Sequence, residues 1–163
     1  MEETQKQYNQ AINHLGFAAK LYKEQGDNSS LFEVLNTKAD IQEKNLKDYE
    51  GAANTLKQTA ALFKNDESRY TQAQFKLADI YRSKLKDKTA QRKVYEEFVR
   101  TYPHSTQADK ALFEAAVLAK DTGEYETAKK YLESIIVNNP ASSYATKAQR
   151  QLNGVNKKIA KNN

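Results

Sequence analysis

The chain has 163 residues, 39% of them hydrophobic and 29% charged, with a formal net charge of +5 and no cysteine. That length and apolar content suit one domain with a sizeable core, and the five glycines and two prolines argue against a β-rich or disordered chain. Absence of cysteine excludes disulfides, thiolate metal sites and thiol nucleophiles, and no apolar run approaches the roughly 20 residues that span a bilayer.

Residues 1–27 read as one helix, with Tyr8, Ala11, Ile12, Leu15, Ala18, Ala19 and Tyr22 on its apolar side and a stop at Gln25-Gly26-Asp27. Its start, MEETQKQYNQ, is polar and unlike a signal peptide. It suits an internal fragment given a starting Met, and a cytoplasmic protein equally. Counting back from the clearer repeats makes it the second helix of a hairpin. Ser30 with Glu33 forms a capping-box pattern ahead of Leu31, Leu35 and Ala39. Asp40 and Glu43 then stand at positions where packing residues are expected. Tyr49 to Asn65 is the next helix, and Asp66 or Ser68 caps one bearing Tyr70, Ala73, Leu77, Ala78 and Tyr81. Lys84 to Lys88 is a mostly polar turn, and Ala90 to Tyr102 a helix stopped by Pro103.

The stretch Asp109 to Pro140 is the clearest unit. Thr106 followed by Asp109 predicts a capped start, and Ala108, Ala111, Leu112, Ala115, Leu118 and Ala119 make a broad stripe of helical period. Gly123 suits the left-handed residue that ends a helix. A second stripe runs through Tyr125, Ala128, Leu132, Ile135 and Ile136 before Pro140 forbids continuation. Two such stripes joined by a tight turn make a helical hairpin whose outer faces must be covered by neighbours. A stride of 38 residues links Ala52, Ala90 and Ala128, then Leu56, Val94 and Leu132, then Ala60, Phe98 and Ile136. Shared spacing across three copies predicts stacked hairpins.

The final segment, from Ala141, carries Tyr144, Ala145, Ala148, Leu152, Val155 and Ile159 at helical spacing and reads as a capping helix. It holds Lys147, Arg150, Lys157, Lys158 and Lys161 and no acid, while the remaining 140 residues balance 21 bases against 21 acids. The whole net charge therefore sits in this basic C-terminal patch. It suits a solvated cap, or a site for an acidic partner or anionic surface.

Residues 109–140 resemble the tetratricopeptide repeat, a 34-residue pattern. Its signature positions fall on Leu112, Ala115, Ala116, Ala119, Ala128, Leu132 and Pro140, with Gly123 and Tyr125 at the turn. The sequence departs from the pattern in having no Trp and in placing Ala at the Leu-Gly pair and at the first Tyr. The cadence of Tyr102-Pro103-His104-Ser105 and Asn139-Pro140-Ala141-Ser142 is similar to bacterial envelope repeat proteins, over roughly residues 70–155. Examples are the periplasmic Tol-Pal-associated coordinator of cell division and the lipoprotein of the outer-membrane β-barrel assembly machinery.

The resemblance implies an all-α, α-α superhelix, a TPR-like solenoid of about eight antiparallel helices with a C-terminal capping helix. The expected single domain spans 1–163, with an N-terminal helix 1–27, repeats near 28–66, 67–103 and 104–140, and the cap at 141–160. It implies a non-catalytic scaffold for a protein or peptide partner, in the periplasm or cell envelope of a Gram-negative bacterium, with a cytoplasmic location as the alternative. In this family the first helix of each hairpin lines a concave groove. Carried onto this chain, the groove residues are Gln72, Phe75, Lys76, Asp79 and Arg82, then Lys110, Phe113, Glu114, Val117 and Lys120. Phe75 and Phe113 read either as aromatic anchors for a partner or as packing between repeats. Alternative readings are a homo-oligomerising module, or a weak nucleic-acid or anionic-surface binder acting through the basic helix. A neutral remainder and aromatics not interleaved with Arg argue against nucleic acid.

No catalytic, cofactor or metal residues are expected. His14 and His104 lie ninety residues apart, on a helix and in a loop, and the HExxH, GxSxG, P-loop and GxGxxG patterns are absent. Glu96-Glu97 and the Glu124/Glu126 pair read as surface charges and turn caps.

Overall fold

The computed structural model describes residues 2–162. Among them are eight α-helices and no strand: α1 Glu2–Gln25, α2 Asn28–Asp40, α3 Tyr49–Leu62, α4 Glu67–Ile80, α5 Lys88–Thr101, α6 Ala108–Asp121, α7 Tyr125–Asn138 and α8 Ser143–Asn162. Two helices continue past their last α-helical turn as a π-helical turn, Ile41–Leu46 after α2 and Tyr81–Leu85 after α4. The fold is the all-α, tetratricopeptide-like arrangement of consecutive helices that the sequence predicts.

The chain divides into two compact units, Met1–Lys86 and Asp87–Asn163. The boundary falls inside the expected 67–103 repeat, just after the π-helical turn of α4. In the first unit α1 packs on α2, α2 on α3 and α3 on α4. Tyr8, Ala11, Ile12, Leu15, Ala18, Ala19 and Tyr22 are each half-buried, so the expected stripe of α1 is the face it turns inward. Beneath it lie Leu31, Phe32, Leu35 and Phe63, with the two phenylalanine rings edge to face at 5.2 Å. In the second unit α5 packs on α6, α6 on α7, α7 on α8, and α6 also reaches α8. Its core is Ala116, Ala119, Ala128, Leu132, Ile135, Ala148, Leu152 and Val155. Four of these eight are alanines, which let helix axes approach closely, and each fully buried Leu or Ile contributes roughly 2 kcal/mol.

Four helix starts are fixed by aspartates. Asp27, Asp48, Asp66 and Asp87 each accept the backbone N–H three residues on, from Ser30, Gly51, Arg69 and Ala90, satisfying donors that the first turn leaves unpaired. The second helix cap is therefore Asp27 and not the Ser30/Glu33 box. At α6 the expected Thr106/Asp109 cap is absent: Gln107 occupies the cap position, and Ser105 Oγ accepts its N–H at 3.2 Å. Asp109 instead accepts from Asn139 Nδ2 at 2.8 Å. The turn at Gly123 takes the left-handed conformation expected of it, φ 81°.

The repeat stride also needs correction. Ala52, Gln91 and Ala128 are the residues whose N–H groups close the first turn onto Asp48, Asp87 and Glu124. The strides between them are 39 and then 37 residues, and the apparent 38 is their mean. Gln91, not Ala90, is buried at the corresponding place, and Tyr95 rather than Val94 corresponds to Leu56 and Leu132. The cause is local. The third hairpin lacks the π-helical turn present in the first two, which removes four residues. The longer connection through Pro103 returns two.

Candidate partner-binding surface

Within the first unit α2 and α4 lie side by side and run the same way. Near their N-terminal ends Arg69 Nη2 donates to Ser29 Oγ at 3.0 Å. Past their C-terminal ends Lys84 pairs with Glu43 at 3.8 Å. Between the two contacts Asp40 forms an ion pair with Lys76, and a second with Lys44 at 3.3 Å. Asp40 and Glu43, which stand at packing positions in the sequence, are therefore held by lysines from α4, its π-helical turn and their own helix. Burial works to raise the Asp40 carboxyl, but contact with Lys76 and Lys44 outweighs it and holds the group below its ordinary value.

Of the five groove residues expected here, Lys76 reaches across to α2, through Asp40. Gln72, Asp79 and Arg82 are exposed, and Phe75 and Lys76 are half-buried. Gln72 Nε2 reaches Ser68 Oγ at 3.5 Å, and Asp79 is engaged by Arg82. Lys76 is committed to Asp40, so its charge is largely neutralised there.

In the second unit α6 and α8 stand in the same relation, across α7. Lys120 Nζ donates to Gln151 Oε1 at 2.8 Å, and the Phe113 and Tyr144 rings meet at 5.6 Å. Phe113 also packs onto the buried cluster of this unit, so its ring is shared between core and surface. Lys110, Glu114 and Val117 are half-buried on the same helix. Of the basic patch on α8, Lys147 sits 4.4 Å above the Tyr144 ring. All five of its residues, Lys147, Arg150, Lys157, Lys158 and Lys161, are exposed.

Two features escape sequence reasoning. Arg92 on α5 joins Glu96 on its own helix at 3.2 Å to Glu124 at the α7 turn at 2.7 Å, and Tyr131 Oη donates to Glu96 Oε1 at 2.9 Å. Contact with Glu124 raises the Arg92 pKa, and that contact lowers the Glu124 carboxyl in turn. Burial, then the bond to Glu96, pushes the Tyr131 phenol up to about 12. The four groups tie α5 to α7. The other feature is a cleft of about 520 Å³ among α1, α2 and α3. Its sequence signal is Phe17, a large apolar residue outside the packing stripe of α1. Among the described residues no cluster of three or more His, Cys, Asp or Glu could hold a metal ion, and no helix is long and apolar enough to cross a membrane.

Comparison with known proteins gives the lineage. Residues 33–163, from within α2 to the end of the chain, match the YfiO outer membrane lipoprotein family. No curated protein matches the chain. The match covers the second unit and the first from within α2 onward, and leaves α1 outside it. By this match, and by the helical hairpins that carry it, the chain belongs to the YfiO outer membrane lipoprotein family, of the tetratricopeptide type found in the bacterial envelope.

Proposed function

We propose that this chain is a non-catalytic scaffold in the envelope of a Gram-negative bacterium, on the periplasmic side, where it holds a protein or peptide partner on the surface of its first helices. The observation that supports this most is the pairing of like helices, α2 with α4 and α6 with α8, in a chain of the YfiO family. Each pair presents two parallel helices whose outward residues are polar and whose half-buried Phe75 or Phe113 sits among them. An extended or helical peptide with apolar anchors and some acidic groups complements such a surface.

Site-specific photo-crosslinking in cells of the source organism tests the reading. A crosslinker at Gln72 or Lys110 is expected to capture a discrete envelope protein, and one at exposed Glu133 on α7 is not. Equal capture from all three positions, or none from Gln72 and Lys110, overturns it. Because Phe113 is shared with the core, Phe113→Ala must be read together with a thermal melt: loss of capture at unchanged stability marks an anchor, and loss of the fold marks a packing residue.

A further inference from the structure

The cleft of the first unit has two walls and a floor. α1 supplies Ile12, Gly16 and Phe17 to one wall, α3 supplies Leu62 to the other, and Leu31 and Leu35 of α2 lie beneath. Phe17 is 69% exposed and Leu62 44% exposed, a cost in contact with water that their own fold does not recover. Three lysines, Lys20, Lys23 and Lys38, join Asn13, Ala19 and Gln58 in completing the lining, and no carboxylate does. Among the described residues none of the three reaches an ion-pair partner. Ile12, Gly16, Lys20 and Lys23 succeed one another at helical spacing, so the α1 wall runs about 16 Å, roughly three turns of a helix laid alongside.

Gly16 marks where that wall is lowest. It sits in the interior of a 24-residue helix, where glycine weakens the helix relative to alanine. A Cβ built on it meets nothing within 4 Å, so packing inside the chain gives no reason for the missing side chain. Backbone is left bare at the mouth of an apolar trough, where another helix could approach closely.

We propose that this cleft binds an amphipathic helix of an acidic partner protein. Its apolar side chains at i, i+4 and i+7 would lie in the trough over Leu31 and Leu35, and its Asp or Glu residues would face Lys20, Lys23 and Lys38. Charge complementarity selects this occupant over a second copy offering its terminal helix, because α8 carries no acidic residue. The site is separate from the edge formed by α2 and α4, and α1 lies outside the family match.

The test uses the full chain and two fluorescein-labelled 16-residue helical peptides with the same Leu stripe, one flanked by Glu and one by Lys. The Glu peptide is expected to bind, at least about tenfold more tightly than the Lys peptide and more weakly as salt is raised. Gly16→Leu, which fills the trough, and the double variant Lys20→Glu/Lys38→Glu, which reverses its rim, are each expected to weaken binding about tenfold or more with helix content unchanged. If Gly16→Leu does not fold, the double variant carries the test. No binding of the Glu peptide overturns the proposal, as does equal binding of the Lys peptide or full binding by folded variants. Phosphatidylglycerol vesicles that bind with the same sensitivity to these variants would assign the cleft to a membrane surface instead. A dimer that Gly16→Leu dissociates would assign it to a second copy.

Discussion

Lys47 and Lys86, 39 residues apart, share one backbone conformation: φ is 58° in the first and 56° in the second, in the left-handed region. Each follows a π-helical turn and precedes an aspartate, Asp48 or Asp87, that caps the next helix. The Lys47–Asp48 and Lys86–Asp87 pairs thus stop one helix and start another within two residues. A left-handed residue with a side chain costs on the order of 1 kcal/mol. Neither lysine has glycine's freedom to avoid it, so Lys47→Gly and Lys86→Gly should each stabilise the chain by up to about 0.5 kcal/mol, after glycine's greater entropy in the unfolded state is offset. Urea unfolding of the two variants decides the matter, and a loss of stability in either would mean the lysine side chain supports its turn.

Two glycines inside helices should respond to alanine with opposite signs. A Cβ at Gly154 meets nothing within 4 Å, so Gly154→Ala should gain close to the full helix-propensity difference, about 0.5–1 kcal/mol. At Gly51 the same atom would run into the Asp48 carboxylate and the Gln42 amide. That carboxylate accepts the Gly51 N–H at 2.9 Å. Gly51→Ala must displace it, losing a cap that contributes about 1 kcal/mol together with the bond from Gln42. Thermal melts should show a higher midpoint for Gly154→Ala and a lower one for Gly51→Ala. Two shifts of the same sign would contradict the packing around Asp48.

Thr55 and Gln42 form a polar contact in the core of the first unit that crosses between helices in full burial, Thr55 Oγ1 donating to Gln42 Oε1 at 2.7 Å. Removing one partner strands the other: Thr55→Val leaves the Gln42 oxygen short of a donor and should cost about 1–3 kcal/mol. Gln42→Leu should cost a similar amount, while the double variant should cost clearly less than the two together, with a coupling near 1 kcal/mol. Strict additivity in chemical unfolding would show that the bond contributes nothing to stability.

Helix count, helix limits to within a few residues and the hairpin pattern were legible because alanine and leucine recur at helical spacing. Ala115, Ala116, Ala119, Ala128 and Leu132, five of the positions that carry the resemblance to the tetratricopeptide pattern, are all buried. The caps were legible only in part. The sequence offers Asp66 or Ser68 for α4 and Asp66 is the cap, while Asp27 reads as part of a stop signal, because the same Gly-Asp pair ends α1 and begins α2. The sequence reads as a stride of 38 because matching Ala52 to Ala90 hides compensating changes, a lost π-helical turn and a longer loop, that no apolar pattern records. The surface was hardest. Asp40 and Glu43 look misplaced in a stripe, and only the proximity of Lys76 and Lys84 explains them. Phe113 cannot be assigned to groove or core from spacing alone, since its ring touches both Tyr144 and the buried cluster. The cleft beside Gly16 required α3 to be placed opposite α1, a relation between residues more than forty apart.

The Tyr131 phenol gives the chain a sensitivity to alkali. Its hydroxyl donates to Glu96, and burial, then that bond, pushes its pKa up to about 12 from an ordinary value of 10. The native state therefore favours the neutral phenol more strongly than the unfolded chain does. Its contribution to stability is complete below pH 10 and is lost as the pH rises from about 10 to about 12. Once ionised, the phenolate faces the Glu96 carboxylate directly, and the link from α5 to α7 is weakened. Tyr131→Phe removes the titrating group and the bond together, so it should be less stable than the parent near neutrality and converge with it toward pH 12. Denaturant unfolding of both proteins at intervals from pH 8 to pH 12 isolates this group from the other tyrosines and lysines, which titrate in both. A stability difference that stays constant across that range would mean that the phenol does not donate to Glu96 in the folded chain.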